Sequence, residues 1–410
     1  MKQYVIIGNG IAAANCIEGI RSIDGNGSIT VISEEVHDTY CRPLISYYME
    51  GRTDLDRMRY RDPDFYERMG CKVLDGRKAT HIIKDRKAVE LDDGTVIPYT
   101  DLCIATGSLP FTPPFDGLDF VKNKYSFMTL DDALALEQGI DENSQVLIIG
   151  AGMIGLKCAE GICGRVAGVT VCDLADRILP NVLDAECASL LERHLEANGI
   201  QLYMNDSVTH FDKDTAHMKS GIDVRFDALV LAVGIRPNIA LMSEAGGETD
   251  RGIMVDELMK TSLPDIYAAG DCVEVMDRVS GQKRVLANLP NAAMQGHAAG
   301  VNMAGGHEVF DKGIIMNSIG FFGLHSLTAG SYEGEMYEEK TDHSIKRLYT
   351  KDDHLKGFIL IGCDDRAGIY TSMIREKTPL SSVNFELMKR TATTAAFSAE
   401  ARRKKFGGMV

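Results

Sequence analysis

The sequence predicts an α/β protein in three parts, on three observations. A unit of apolar strand, glycine turn, helix and second strand ending near an acid occurs at "YVIIGNGIAAANCIEGI" with "SITVISEE". It recurs at "QVLIIGAGMIGLKCAEGI" with "GVTVCDL". From about residue 307 the pattern changes to short strands, "IKRLYT" and "HLKGFILIG", followed by the helical "RAGIYTSMIRE". A chain of 410 residues exceeds one ordinary core and divides into domains.

Each unit is built to hold a dinucleotide. Gly8 and Gly150 allow the tight turn, Gly10 and Gly152 let backbone approach a pyrophosphate, and Ala13 and Gly155 let helix pack on strand. Ile154 lies within the second turn and counts among its contacts. The helix N-terminus then offers free N–H groups and a positive dipole end to the anion. Glu34 and Asp173, at which the second strand of each unit ends, are placed to accept hydrogen bonds from ribose hydroxyls. Asp173 also repels a 2′-phosphate, which favours NADH over NADPH, although Arg177 nearby works against that preference. The prediction is therefore two Rossmann-like dinucleotide-binding domains followed by an α+β domain.

Composition narrows the function classes. The formal net charge of -15 argues against a nucleic-acid binder. Ten cysteines lie scattered with no CxxC pair and no metal-ligand spacing, so reduced thiols, a cytoplasmic location and no metal site are expected. No apolar run approaches membrane length and no signal peptide is apparent. Cys158 and Cys163 have CxxxxC spacing, but five residues apart on a helix they face different ways and read as packing.

The remaining segments fall in order. "KATHIIK" and "KAVELDDGTVIPY" predict a strand meander turned at Asp93-Gly94. "LCIATGSLP" is a buried strand ending in Thr106 and Gly107, "PFTPPFDGLDF" a crossover, and "LAVGIRPN", with Gly234, a returning strand. Helices are expected over Asp131 to Gln138 and Asp184 to Asn198, the latter stopped at Gly199. "DIYAAGDCVEV" is a strand ending in Gly270 and Asp271, and "LPNAAMQGHAAG" a helix of small residues.

Taken in this order, these motifs resemble the FAD-dependent pyridine nucleotide oxidoreductases, from residue 1 to about 375. The resemblance implies an FAD domain at residues 1–111 and 236–306, an NAD(P)H domain at 112–235 inserted into it, and an interface domain at 307–410. It implies that Gly8, Gly10, Ala13, Glu34 and Ala79 contact the ADP half of FAD, that Thr106 and Gly107 close its domain, and that Asp271, after Gly270, binds the ribitol hydroxyls. Asn291 and Ala292 would face the flavin ring.

The stretch "HDTYCRPLISYYMEG" resembles the rubredoxin- and nitrite-reductase branch, with Tyr40, Arg42, Pro43 and Ser46, and places Arg42 near the FAD pyrophosphate. That branch implies hydride transfer from NADH to FAD, then electrons to a rubredoxin- or ferredoxin-like protein or an iron–sulfur partner subunit. A homodimer or a hetero-oligomer is left open. Many relatives carry an acid where this chain has Lys157, paired with a lysine where it has Tyr47. Two readings of Lys157 stand: a cation stabilising negative charge on reduced flavin, or a side chain extended to solvent beside Glu160. Two rival functions also stand. One is an NADH oxidase, peroxidase or CoA-disulfide reductase using Cys41; the other is an NADH-sensing flavoprotein whose third domain serves assembly. The basic tail "EARRKKFGGMV" reads as a solvated terminus or a docking segment for an acidic redox partner.

Overall fold

The strand Tyr4–Ile7 is apolar at every position because both its faces are covered, the pattern of a central parallel strand. In the computed structural model, which describes residues 1–363 and 366–406, it is the middle strand of a parallel sheet. The order is Ile266–Ala268, Asp101–Ile104, Gln3–Ile7, Ser28–Ile32, Cys71–Leu74. A second parallel sheet runs Ile200–Met204, Gly168–Asp173, Gln145–Ile149, Ala228–Leu231, Lys124–Tyr125. In each sheet the strand leading into the glycine turn is central: Ile7 pairs with Ile32 and Ile104, and Ile149 with Cys172 and Leu231. Both turns thus open at the carboxyl ends of the strands, where α/β sheets bind their ligands.

The strand predicted to end at Glu34 ends at Ile32, and the acid sits beyond it on the loop. The two predicted helices are Leu130–Gly139 and Ala185–Ala197. Thr129 and Asp132 form a capping box on the first, and Asp184 caps the second by accepting the Cys187 N–H at 2.9 Å. The meander runs through Ala79–Ile83, Ala88–Leu91 and Val96–Pro98, with Gly94 at φ +81° in its turn.

A two-stranded ribbon carries the chain out of the first sheet and back. Ser108–Pro110 pairs antiparallel with Ile235–Pro237, Gly234 sits at φ +137° before the returning strand, and the Thr106 hydroxyl donates to the Asn238 carbonyl at 2.7 Å.

The helix Ile11–Ile23 crosses Leu289–Met303 with almost no separation. A Cβ on Gly296 would lie 2.1 Å from the Ala12 carbonyl oxygen, and one on Gly300 2.1 Å from that of Cys16. No side chain fits at either point. This contact fixes where the start of Leu289–Met303 sits relative to the first glycine turn.

The third unit is an antiparallel sheet in the order Met316–Phe321, Leu324–Gly330, His354–Ile361, Ile345–Lys351, Glu335–Lys340. The helix Ala367–Arg375 packs on it through Tyr370 and Met373. Buried Arg347 reaches back, donating from Nε to Glu338 at 2.6 Å and pairing through its other nitrogens with Asp184 and Glu186. Within the tail, Ala399–Phe406 is helical, and the last four residues of the predicted docking segment lie outside the described residues. Among the described residues, no helix is long and apolar enough to cross a membrane.

Gly296→Val is expected to destabilise the protein by about 3 kcal/mol or more, because the helices must part to admit the side chain. Chemical denaturation checks this, and the exposed Gly25→Val, whose Cβ position is open, should change little.

Candidate active site: two glycine-turn crevices

The glycine turns are nearly superposable in their constraints. A Cβ on Gly8 would lie 2.2 Å from the Ala105 carbonyl oxygen, and one on Gly150 2.2 Å from that of Ala232. At Gly10 and Gly152 nothing stands within 4 Å of the Cβ position. Neither helix that follows, Ile11–Ile23 or Met153–Cys163, has a side-chain cap, so the first N–H groups of each lie open. An uncapped helix start beneath an open glycine cradle fits a pyrophosphate. Ala13 is fully buried, and at Gly155 a Cβ would lie 1.9 Å from the Gly150 carbonyl oxygen, so each third position needs its small residue.

The acids differ in posture. Asp173 faces its own turn, accepting the Ala151 N–H at 2.7 Å and the Ala175 N–H at 2.8 Å. Arg177 is turned away, its Nη1 paired with Asp176 at 2.6 Å and its Nε donating to the Leu183 carbonyl at 3.2 Å. Glu34 is largely exposed and bridges Lys78 at 3.1 Å. Ala79 is buried at the head of its strand.

A second set of groups gathers where the Ile266–Ala268 strand ends. Gly270 at φ +90° donates its N–H to the Gln295 Oε1 at 2.8 Å, and the Gln295 Nε2 is buried without a hydrogen-bond partner among the described residues. Asn291 is fully buried; its Nδ2 donates to the Ile314 carbonyl at 2.9 Å, and its Oδ1 has no partner among the described residues. Burial raises the Asp271 carboxyl above the ordinary carboxylate range, and the Arg42 guanidinium opposes that rise. Polar atoms buried without partners carry a desolvation cost that a polar ligand removes. The residues here fit the isoalloxazine and ribityl parts of a flavin. Ala292, also buried, stands beside Asn291 at the helix start, and Thr106 and Gly107 are stitched to Asn238 across the crevice.

Arg42, in the short turn Arg42–Leu44 begun by Pro43, binds Glu35 at 2.5 Å and reaches the Met128 carbonyl at 3.4 Å. Glu35 also accepts the Tyr40 hydroxyl at 2.7 Å, and that hydroxyl accepts the Leu130 N–H at 2.8 Å. Burial pushes the Cys41 thiol up, with no cation among the causes, so the thiolate is disfavoured.

Lys157 is neither extended to solvent nor an unpaired cation. Its ammonium binds buried Glu160, donates to the Gly320 carbonyl at 3.2 Å, and lies 4.4 Å from the centre of the Tyr47 ring. Glu160, 3% exposed, accepts the Phe322 N–H at 2.6 Å through its other oxygen. Of the two sequence readings, the pairing with Glu160 is present, but the side chain is packed rather than extended to solvent, and its charge is shared with that carboxylate. The Tyr47 contact exists because Gly161 lets the helix Ile45–Met49 approach, a Cβ there falling 2.9 Å from the Ser46 carbonyl oxygen.

Sequence reasoning missed Glu35 and Gln295. Glu160, three residues after Lys157, is the neighbour that the sequence pairs with it, but it is buried rather than at the surface. Gln295, four residues after Asn291, repeats the polar position on one helix face, and that spacing was the available signal. Cys158 is buried and Cys163 contacts the Asn198 carbonyl, so both remain free thiols. His210, Asp212 and His217 bring one candidate ligand atom each within 4.8 Å of one another on neighbouring strands; the two rings stack at 4.1 Å, and His217 is bonded to both Asp212 and Asp223.

Comparison with known proteins follows this geometry. The family described as pyridine nucleotide-disulphide oxidoreductase matches residues 2–296. The epsilon subunit of the NADH-dependent phenylglyoxylate dehydrogenase of Aromatoleum evansii is 30% identical over 394 residues, covering 92% of this chain and 93% of that one. Nitrite reductase of Bacillus subtilis (strain 168) is 28% identical over 402 residues; this chain spans 48% of its length. An NAD-dependent persulfide reductase structure from A. fulgidus superposes with a TM-score of 0.86 at 26% identity, covering 99% of this chain and 84% of that one.

The raised Asp271 means that its ionisation opposes folding: the stability it contributes is present below the unfolded carboxylate range and lost as pH rises through the raised value. Asp271→Asn in flavin-free protein should therefore raise the melting temperature at about pH 7, with the gain shrinking toward about pH 4. Glu160→Gln should cost about 3 kcal/mol by stranding Lys157, and Lys157→Met with Glu160→Leu should recover part of it, both read by denaturant titration.

Proposed function

The chain belongs to the pyridine nucleotide-disulphide oxidoreductase family, a family of FAD- and NAD(P)H-dependent enzymes, and from that premise we propose that it takes hydride from NADH and delivers electrons to an iron or iron–sulfur protein or partner subunit. The observation that carries the reading is the pair of open glycine turns, each over an uncapped helix start, in two parallel sheets of one chain. FAD, when bound, supplies the ring that accepts hydride. Gly10 and the helix start behind it hold its pyrophosphate, and Asp271, Asn291 and Gln295 take its polar edge and side chain; Arg42, predicted to pair with the pyrophosphate, is instead engaged by Glu35.

Gly152 and Asp173 hold the second dinucleotide. Asp173 beside its turn, with Arg177 engaged elsewhere, supports NADH over NADPH. Lys157 and Tyr47 stand between the second turn and the segment after Glu35, so their stacking keeps the two crevices in register rather than charging the flavin. The acceptor side rests on Cys41, whose thiol burial pushes up, and on the name of the Aromatoleum relative, a subunit of an NADH-dependent dehydrogenase. A cytoplasmic location accompanies this reading, in keeping with ten free cysteines.

Rapid mixing of the FAD-loaded protein with NADH without oxygen is expected to bleach the flavin absorbance within the time of a turnover, and NADPH to do so at least tenfold more slowly. Cys41→Ser should leave both the bleaching and the rate to a one-electron acceptor unchanged. Loss of turnover in that variant would favour the thiol-dependent oxidase or disulfide reductase reading, and slow bleaching the sensor reading.

A further inference from the structure

The helix Ala367–Arg375 and the antiparallel sheet line an open cleft of about 480 Å³ on the side of the start of Leu289–Met303. Met294, Met316, Leu327 and Phe358 give it apolar walls, and two cations line it, Arg375 and the more exposed Lys312. We propose that this cavity binds an organic monocarboxylate, with the carboxylate held by Arg375 and Lys312 and the apolar body against the methionine and aromatic walls.

The guanidinium carries the argument. Among the described residues, its Nε is buried with no hydrogen-bond partner, and its Nη2 meets the Met316 sulfur at 3.2 Å. A thioether is a weak acceptor and offers no charge. Among the described residues neither Arg375 nor Lys312 forms an ion pair. Burial lowers the Arg375 pKa, which records a desolvation that no anion offsets. A place in the last helical turn explains a positive charge there. It does not explain a forked donor lining a cavity with nothing to accept from it.

The shape of the donor and the charge around it select the ligand. A guanidinium presents parallel N–H groups that match a planar carboxylate. Glu376 lines the same cavity and bonds the Ser372 hydroxyl at 3.2 Å, so a second negative charge on the ligand would meet repulsion. The volume suits a small organic molecule. Occupancy would also be felt at the redox centre: Asn288 and Asn291 both donate to the Ile314 carbonyl, between Lys312 and Met316 in the chain. The proposal stands on the cavity and does not require the redox reading.

Benzoate titrated calorimetrically into the full chain tests it, with benzyl alcohol as the uncharged analogue and inorganic phosphate as the bare anion. One benzoate per chain is expected, with benzyl alcohol and phosphate each at least tenfold weaker. Arg375→Gln should weaken benzoate at least tenfold. Gly368→Leu should do the same by filling the cavity; its Cβ position is open and helical, so the variant should fold, and a thermal melt of each variant checks this. Absence of benzoate binding overturns the proposal. So does benzoate binding that both variants leave intact, or phosphate binding as tight as benzoate and indifferent to Gly368→Leu.

Discussion

Backbone touching backbone is the constraint on which this architecture depends. At Gly8 and Gly150 the chain turns against the carbonyl of a neighbouring strand, and at Gly296 and Gly300 one helix lies on the carbonyls of another, with no room for a single added carbon. These contacts are short because hydrogen is the side chain, and rigid because the groups in contact are main chain. They set the two turns at the carboxyl edges of their sheets. They also bring Asn291 and Gln295 to the end of the Ile266–Ala268 strand, where Gly270 N–H binds Gln295.

Ionic contacts then hold the third unit against the second. Arg347 is buried and surrounded by Glu338, Asp184 and Glu186, and Lys157 with Glu160 grips the backbone at Gly320 and Phe322. Buried ion pairs add little net stability, since desolvation cancels much of the attraction. Their effect is on geometry, because each charge is satisfied in only one arrangement. Asp184 serves twice, as helix cap and as partner of Arg347, so the helix Ala185–Ala197 and the antiparallel sheet are positioned by the same carboxylate.

Legibility in the sequence followed the range of the interactions. The glycine turns, the strands that feed them and the capped helices are local, and "IIGNGIAAA" and "LIIGAGMIG" announce them within a few residues. Lys157 was legible as an oddity but not in its role, because Gly320 lies 163 residues away and Glu160 on the same helix face had several possible fates. Glu35 was hidden behind Glu34: both acids lie in the bend that follows the strand Ser28–Ile32, and only tertiary packing chose which one meets Arg42 and Tyr40. The orphaned atoms of Asn291 and Gln295 are a property of what surrounds them, and no spacing encodes that.

The ribbon of Ser108–Pro110 and Ile235–Pro237 has a consequence for biosynthesis. Every strand of the second parallel sheet lies between residues 124 and 231, so that sheet is complete as soon as its last strand leaves the ribosome. The first sheet lacks Ile266–Ala268 until much later, and its helix Ile11–Ile23 waits longer still for the partner at Leu289–Met303. The amino-terminal segment therefore remains unfinished, with apolar surface exposed, while the strands of the second sheet are already all synthesised. The sheet begun first is thus the later of the two parallel sheets to receive its last strand.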